Sequence, residues 1–298
     1  MKWNDFVLTL AETSRVAENL LRLEFEVGGG TGGGYVPITP GDESVAFYFS
    51  PDGEALHARP SDDPGALGGW EIADPERSQG HRNYSVRAYD PETRRMTVDV
   101  AEHDHGPAIE WFRAARPGWR LLAAGPRSWY EPASDASCHV LAGDLAALPA
   151  LARVLEETPE GIDVTVIAEV LDRSEIAYLP ERPGTAVIEI IGTGNGAAPS
   201  RLPEVLRTVD LPIDGYLWLA GEAADTRAAK KHVRGLGWSR DRADVVGYWR
   251  HDAEAWTQRF EAAGEERLRA VFAEALAAGK SRDEATDLYE QALEAAGL

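Results

Sequence analysis

The chain has 298 residues, 44% hydrophobic and 27% charged, which is the balance of a soluble globular protein and excludes disorder throughout. Its 50 acids against 30 bases leave a formal charge of −20, which opposes binding to nucleic acid or to an anionic membrane. No apolar run reaches the roughly 18 to 20 residues of a membrane span, the opening Met1-Lys2-Trp3-Asn4-Asp5 lacks signal-peptide features, and a single cysteine, Cys138, fits a reducing, cytoplasmic setting.

From residue 4 to about 124 the apolar segments are short and alternate with polar residues. They predict antiparallel strands at 6–8, 21–27, 45–49, 84–89, 96–100 and 120–122, forming a small barrel or sandwich. Turns such as Pro40-Gly41-Asp42 and Asp90-Pro91-Glu92 separate them. The glycine run 28–34 reads as a loop, because it lacks the Gly-Lys-Ser/Thr ending of a phosphate loop. Residues 50–80, rich in Pro, Asp and Gly, predict a long surface loop or hairpin insertion. One helix is expected over 107–115, entered through Pro107 and ended by Pro117-Gly118.

The second half alternates strand and helix. Strands are expected at 139–142, 164–169, 186–191, 216–220 and 244–248, with helices near 146–157, 203–208 and 223–236. That alternation implies a parallel sheet with helices on its faces and a ligand edge at the strand carboxyl ends. Beyond Arg250 the composition turns to Ala, Glu, Leu and Arg, predicting helices at 253–263, 266–278 and 282–296, split at Gly264 and Gly279. The expected organisation is an α+β chain of two domains, an antiparallel β-barrel over 1–130 and an α/β parallel-sheet domain over 131–252. A helical C-terminal extension over 253–298 would cap the second domain or mediate a homodimer.

Several segments carry chemistry. In His81-Arg82-Asn83-Tyr84-Ser85-Val86-Arg87 a strand would place Arg82, Tyr84 and Val86 on one face and Asn83, Ser85 and Arg87 on the other. A guanidinium, an aromatic ring and a hydroxyl in that order can pair with a phosphate, stack on a flat ring and hydrogen-bond a ring nitrogen. The same segment also reads as an ordinary exposed strand. Gly106-Pro107-Ala108 opens the one helix of the first half, where free amides attract a pyrophosphate or simply start a helix. Gly143-Asp144 and Gly221-Glu222 fall at strand-to-helix junctions, where Asp144 reads equally as a helix N-cap. Arg227, Lys230, Lys231 and Arg234, followed by Arg240, Arg242 and Arg250, form the local basic cluster of an acidic chain, or a solvated helix face. Weaker candidates are Gly192–Ala197, a partial dinucleotide fingerprint read as a loop, and His103 with His105, read as a polar turn rather than a metal site. Cys138 in an apolar strand reads as inert.

Arg82-x-Tyr84-Ser85 resembles the flavin signature of the ferredoxin-reductase superfamily. The ordered set His103-Asp104-His105-Gly106-Pro107-Ala108, Trp111, Ala115-Arg116-Pro117-Gly118, Ala124-Gly125-Pro126-Arg127, Ala142-Gly143-Asp144 with Ala147-Leu148-Pro149-Ala150, Ala220-Gly221-Glu222-Ala223 with Arg227, and Gly247-Tyr248-Trp249-Arg250 is similar to the siderophore-interacting protein family of flavin-dependent ferric-siderophore reductases.

The resemblance implies a flavin-binding barrel followed by a nicotinamide-binding α/β domain. FAD would be held by Arg82, Asn83, Tyr84, Ser85, His103, His105, Gly106, Pro107 and Ala108, and NAD(P)H would meet Asp144, Gly221 and Glu222. Arg127, Lys231 and Arg250 would contact a ferric siderophore. Because the flavin carries the chemistry, no side-chain catalyst is expected. Three positions depart from the family pattern. Leu145-Ala146 stands where the family has Glu-Thr, Ile109 where it has Ser, and Ala46 where a Lys is common. The implied activity is NAD(P)H-dependent reduction of a ferric siderophore, releasing iron(II). Alternatives are a related flavin reductase with another acceptor, motivated by Ala46, and a non-catalytic protein that lost tight FAD binding, motivated by Leu145, Ala146 and Ile109.

Overall fold

The computed structural model describes residues 4–31, 33–62, 67–103 and 106–298. The first sheet is built from β1 (Asn4–Ala17), β2 (Leu20–Val27) and β3 (Ser44–Tyr48), then, beyond a small hairpin of β4 (Ala58–Pro60) and β5 (Trp70–Ile72), from β6 (His81–Ser85), β7 (Ala88–Asp90), β8 (Arg95–Ala101) and, after helix α1 (Pro107–Ala114), β9 (Arg120–Arg127). Its seven strands run in the order β6-β3-β9-β1-β2-β8-β7, and every pairing is antiparallel. The sheet curls so that edge strand β6 approaches β8. Alternating residues turn inward: Phe6, Leu8 and Leu10 from β1, Phe25 from β2, Phe47 from β3 and Met96 from β8 are all buried. Trp111 and Phe112 of α1 close that core. Each such side chain contributes about 1.5–3 kcal/mol by leaving water.

The expected single strand over 84–89 is two strands at opposite edges of the sheet. The chain changes partner in between. Val86 N–H donates to Glu43 O at 2.8 Å, and Arg87 N–H donates to Thr97 O at 2.9 Å. Val86 is fully buried, so the crossing is anchored in the core. The expected insertion over 50–80 holds the β4–β5 hairpin, whose Trp70 packs with Leu56 over Leu122 and Ala124.

The second sheet comprises β10 (Cys138–Asp144), β11 (Asp163–Val170), β12 (Thr185–Ile191), β13 (Tyr216–Glu222) and β14 (Ala243–Trp249). It is wholly parallel, in the order β12-β11-β10-β13-β14. Helix α2 (Leu148–Glu157) follows β10, the short α3 (Arg173–Ile176) follows β11, α4 (Leu202–Leu206) precedes β13, and α5 (Ala223–Gly235) follows it. The central strands are apolar on both faces because helices cover both. Leu141, Val166 and Trp218 pack with Leu151 and Leu155 of α2, whereas Val140, Ile167 and Leu219 pack with Leu206 of α4 and Val233 of α5. The α2 layer also takes in Ala17 and Leu20 of the first sheet, so it is the layer beside the barrel.

Residues 250–298 form a separate compact unit of α6 (Ala253–Ala262), α7 (Glu265–Ala277) and α8 (Arg282–Ala295). Phe260, Leu268 and Leu293 make its core, with Trp256 stacked on Phe260 at 4.8 Å. Ser281 and Glu284 form a capping box at the start of α8. Among the described residues no helix is long and apolar enough to cross a membrane.

Candidate functional site

The antiparallel register of β3 and β6 pairs Phe47 with Arg82, Val45 with Tyr84, Ala46 with Asn83 and Ser44 with Ser85. Arg82 and Tyr84 therefore share one side of β6, and Asn83 and Ser85 the other. Arg82 is exposed. Its guanidinium donates to the carbonyl of His81 at 2.8 Å and makes no ion pair among the described residues. In so acidic a chain that leaves a cation uncommitted. The Tyr84 ring is half-buried against Phe47 at 5.1 Å and Phe112 at 5.3 Å. Burial pushes its hydroxyl well above the usual phenol range. Asn83 is exposed, whereas Ser85 and its partner Ser44 are buried. The Ser44 hydroxyl has no hydrogen-bond partner among the described residues.

Ala46 is buried opposite Ala124, whose side chain lies beneath Leu56 and Trp70. A lysine there would have to displace the hairpin insertion.

Helix α1 begins at Gly106, whose φ of 126° is a conformation that only glycine adopts readily, and among the described residues no side chain caps its first amides. An uncapped helix start can receive an anion. Pro107 occupies the first turn, and Ala108 is buried. Ile109 is 1% exposed and belongs to the barrel core, so this chain has an apolar anchor where a hydroxyl would face the ligand. His103 is exposed, and its carbonyl accepts from Arg113 at 3.2 Å. His105 lies outside the described residues.

In the second sheet, strands β10 and β13 are neighbours from which the chain proceeds in opposite directions, so their carboxyl ends form the crevice where ligands of such sheets bind. Asp144 ends β10 there, 3% exposed. Its Oδ2 accepts from the Trp249 indole at 2.6 Å, and its Oδ1 accepts from the Ala147 amide at 3.2 Å. Burial, with Glu169 nearby, pushes its carboxyl up to about 7. Asp144 caps the turn before α2 rather than the helix itself, whose N-cap is Ala147. Gly221 leaves room for this carboxylate, since a Cβ there would come within 2.8 Å of Oδ2. Glu222 is the N-cap of α5 and accepts from the amides of Ala224 and Asp225. Asp225 is held up at about 6 by burial and then by Glu222. Glu169 is fully buried and accepts from Thr193, Ser200 and the amide of Arg201. Asn195, in the glycine-rich stretch expected to be a loop, accepts from the Leu145 amide at 2.9 Å.

The three residues expected to meet the substrate are placed differently from one another. Arg127 ends β9 opposite Ser44, with its guanidinium 4.4 Å from the Trp129 ring centre. Its charge acts on His81, Tyr48 and Tyr248. Lys231 is exposed on α5, in the layer across the sheet from α2. Arg250 belongs to the C-terminal unit, where its guanidinium lies 3.9 Å over the Trp256 ring.

Sequence reasoning missed the polar hub between the sheets. Asp42, read only as a turn residue, is fully buried. Its Oδ1 accepts from Ser128 Oγ and the amides of Trp129 and Tyr130, and its Oδ2 from Trp218 Nε1 and the Tyr248 hydroxyl. Tyr248 is flanked by Asp42 and by Ser85. Its place in the Gly247–Arg250 stretch was the signal available. No local pattern distinguishes Asp42 from any other turn aspartate.

Residues 9–130 match the model of the siderophore-interacting FAD-binding domain, and residues 136–252 match that of the siderophore-interacting protein. A ferric acinetobactin reductase of Acinetobacter baumannii is 25% identical over 179 residues, 59% of this chain and 63% of that protein. The chain thus spans just under two thirds of that relative's length. An NADPH-dependent ferric-chelate reductase of Escherichia coli strain K12 is 24% identical over 246 residues, 81% of this chain and 91% of the relative. The crystal structure of a siderophore utilization protein from T. fusca superposes with a TM-score of 0.70 at 28% identity, covering 85% of this chain and 95% of that one. With both of its sheets matched in order by the family's two models, the chain belongs to the siderophore-interacting protein family.

Proposed function

We propose that the protein is an FAD-dependent oxidoreductase that passes electrons from NAD(P)H to iron(III) held in a siderophore. The observation that carries the reading is the pairing of Arg82, a cation without a carboxylate partner among the described residues, with the half-buried ring of Tyr84 on one side of β6. That donor set fits FAD: a guanidinium for a phosphate, a ring for stacking, and the uncapped start of α1 for the diphosphate. Bound FAD supplies the chemistry of accepting two electrons together and releasing them singly.

The chain's own residues bind and orient. Arg82 and the α1 amides neutralise phosphate charge. Tyr84 fixes a ring plane, because Phe47 and Phe112 hold the phenol in place. Glu222 and Asp225, in the first turn of α5, offer acceptors that suit the ribose hydroxyls and carboxamide of a nicotinamide nucleotide, while buried Asp144 ties the end of β10 to Trp249. The phosphates of that nucleotide suit the basic residues of α5 instead. Overall, one NAD(P)H and two iron(III) give NAD(P)+, two iron(II) and a proton. Iron(II) is held more weakly by hard oxygen ligands, so reduction releases it.

The purified protein is expected to be yellow, to bleach with NADH or NADPH, and to regain colour anaerobically with a ferric siderophore. Recovery only with oxygen would remove the siderophore from the proposal. Buried Ala46 favours a second reading, a flavin reductase with another acceptor. Turnover with quinones or free flavin exceeding that with ferric complexes would select it.

A further inference from the structure

Resting on that reading, we infer that Arg153 is a positioning residue for electron transfer. From the first helix of the parallel-sheet domain it fixes the Ser44–Ser85 edge of the barrel. The residue is 4% exposed, and its side chain reaches from α2 into the other sheet. Its Nη1 donates to Glu43 Oε2 and to Val86 O, both at 2.8 Å, and its Nη2 donates to Ile38 O at 3.1 Å. Its Nε donates to Glu157 Oε1 at 2.9 Å, while Glu157 Oε2 accepts from the Gly41 amide at 2.7 Å.

These contacts bracket one point. Glu43 immediately precedes Ser44, and Val86 immediately follows Ser85. Val86 N–H donates to Glu43 O, which makes 43 and 86 a hydrogen-bonded pair. Ser44 and Ser85 are then the adjoining non-hydrogen-bonded pair, with closely spaced side chains. One guanidinium therefore grips both strands beside the two hydroxyls, at the end of the segment that carries Arg82 and Tyr84. A buried ion pair adds little net stability over an apolar replacement. What the planar fork supplies is a fixed relation between α2 and β3–β6, and a lysine cannot meet acceptors in all these directions at once. Electron transfer between a nucleotide on one sheet and a flavin on the other depends on that relation.

The test uses Arg153→Lys, together with the double variant Arg153→Met/Glu43→Gln, which removes both members of the buried Arg153–Glu43 pair so that neither charge is left without the other. In protein without added FAD, hydrogen exchange at the Gly41 and Val86 amides is expected to speed up at least about tenfold, while β10 and β13 amides keep their rates. Loaded with FAD at an affinity within about threefold of wild type, both variants are expected to be bleached at least about tenfold more slowly at saturating NADH or NADPH. The half-saturating concentration should stay unchanged. A merely structural role predicts lost FAD occupancy with a normal rate in the loaded fraction. A bleachable wild type whose variants bleach at the same rate, or exchange Gly41 and Val86 no faster, overturns the inference alone. An FAD-loaded wild type that neither nucleotide bleaches overturns the proposed function and the inference with it.

Discussion

The Trp249 indole N–H donates to the Asp144 carboxylate at 2.6 Å, so the last residue of β14 closes over the end of β10 at the carboxyl edge of the sheet. Asp144 keeps its proton up to about pH 7 in the folded chain, against an ordinary value of 3.8, because burial disfavours the charge. Between those values the folded state binds more protons than the unfolded one. Stability therefore falls as pH rises through that window, and the full loss is present above pH 7. The three-unit shift corresponds to at most about 4 kcal/mol. Asp144→Asn should flatten this fall, leaving the variant relatively more stable at pH 7.5 than at pH 4.5. Urea denaturation at both pH values measures it, and equal pH dependence in variant and wild type would refute the assignment.

Arg82→Ala separates binding from folding. The guanidinium is exposed and, among the described residues, bonded only to its neighbour's carbonyl, so its loss should move Tm by no more than about 1 °C. A charge-assisted phosphate contact should by contrast be worth between about tenfold and a hundredfold in FAD affinity. Fluorescence quenching of FAD titrated with protein reads the Kd, and the difference should shrink as salt rises. A variant that binds FAD as tightly as wild type would exclude Arg82 from the phosphate site.

Much of this architecture was legible because it follows from periodicity. The β10 run His139-Val140-Leu141-Ala142 and the helical pattern after it announced a parallel sheet, and the short alternating segments before Arg127 announced an antiparallel one. Local pattern could not show the break at Val86-Arg87, since the residues on both sides favour strand and only the partners Glu43 and Thr97 divide them. Asp42 and Arg153 were invisible for a related reason. Their partners lie 86 to 206 and 67 to 115 residues away, Glu157 excepted, and neither residue type signals burial. The Gly247-Tyr248-Trp249-Arg250 motif marks Arg250 but carries no sign of its packing, in which the guanidinium lies over the Trp256 ring.

Ser44→Ala tests whether the barrel edge carries an unmet polar group. The hydroxyl is buried without a hydrogen-bond partner among the described residues, so the protein without FAD bears its desolvation penalty. Removing it should raise stability by about 1 kcal/mol. Differential scanning calorimetry without FAD is the measurement, and a lower Tm would mean that the hydroxyl is satisfied in solution.

Asp42 should be among the most sensitive positions in the chain. Its carboxylate collects five donors: Ser128 Oγ, two main-chain amides, the Trp218 indole and the Tyr248 hydroxyl. Asp42→Ala strands them in a buried site and should destabilise by about 3 kcal/mol or more. Tyr248→Phe removes one donor and leaves four, so about 1 kcal/mol is expected. Asp42→Asn falls between the two, since its amide N–H₂ would face the Trp218 N–H, a donor with no accepting capacity. Urea unfolding of the three variants should rank Asp42→Ala below Asp42→Asn below Tyr248→Phe. If Asp42→Ala were as stable as Tyr248→Phe, the carboxylate would not be the hub that joins the Ser128–Tyr130 connector to β13 and β14.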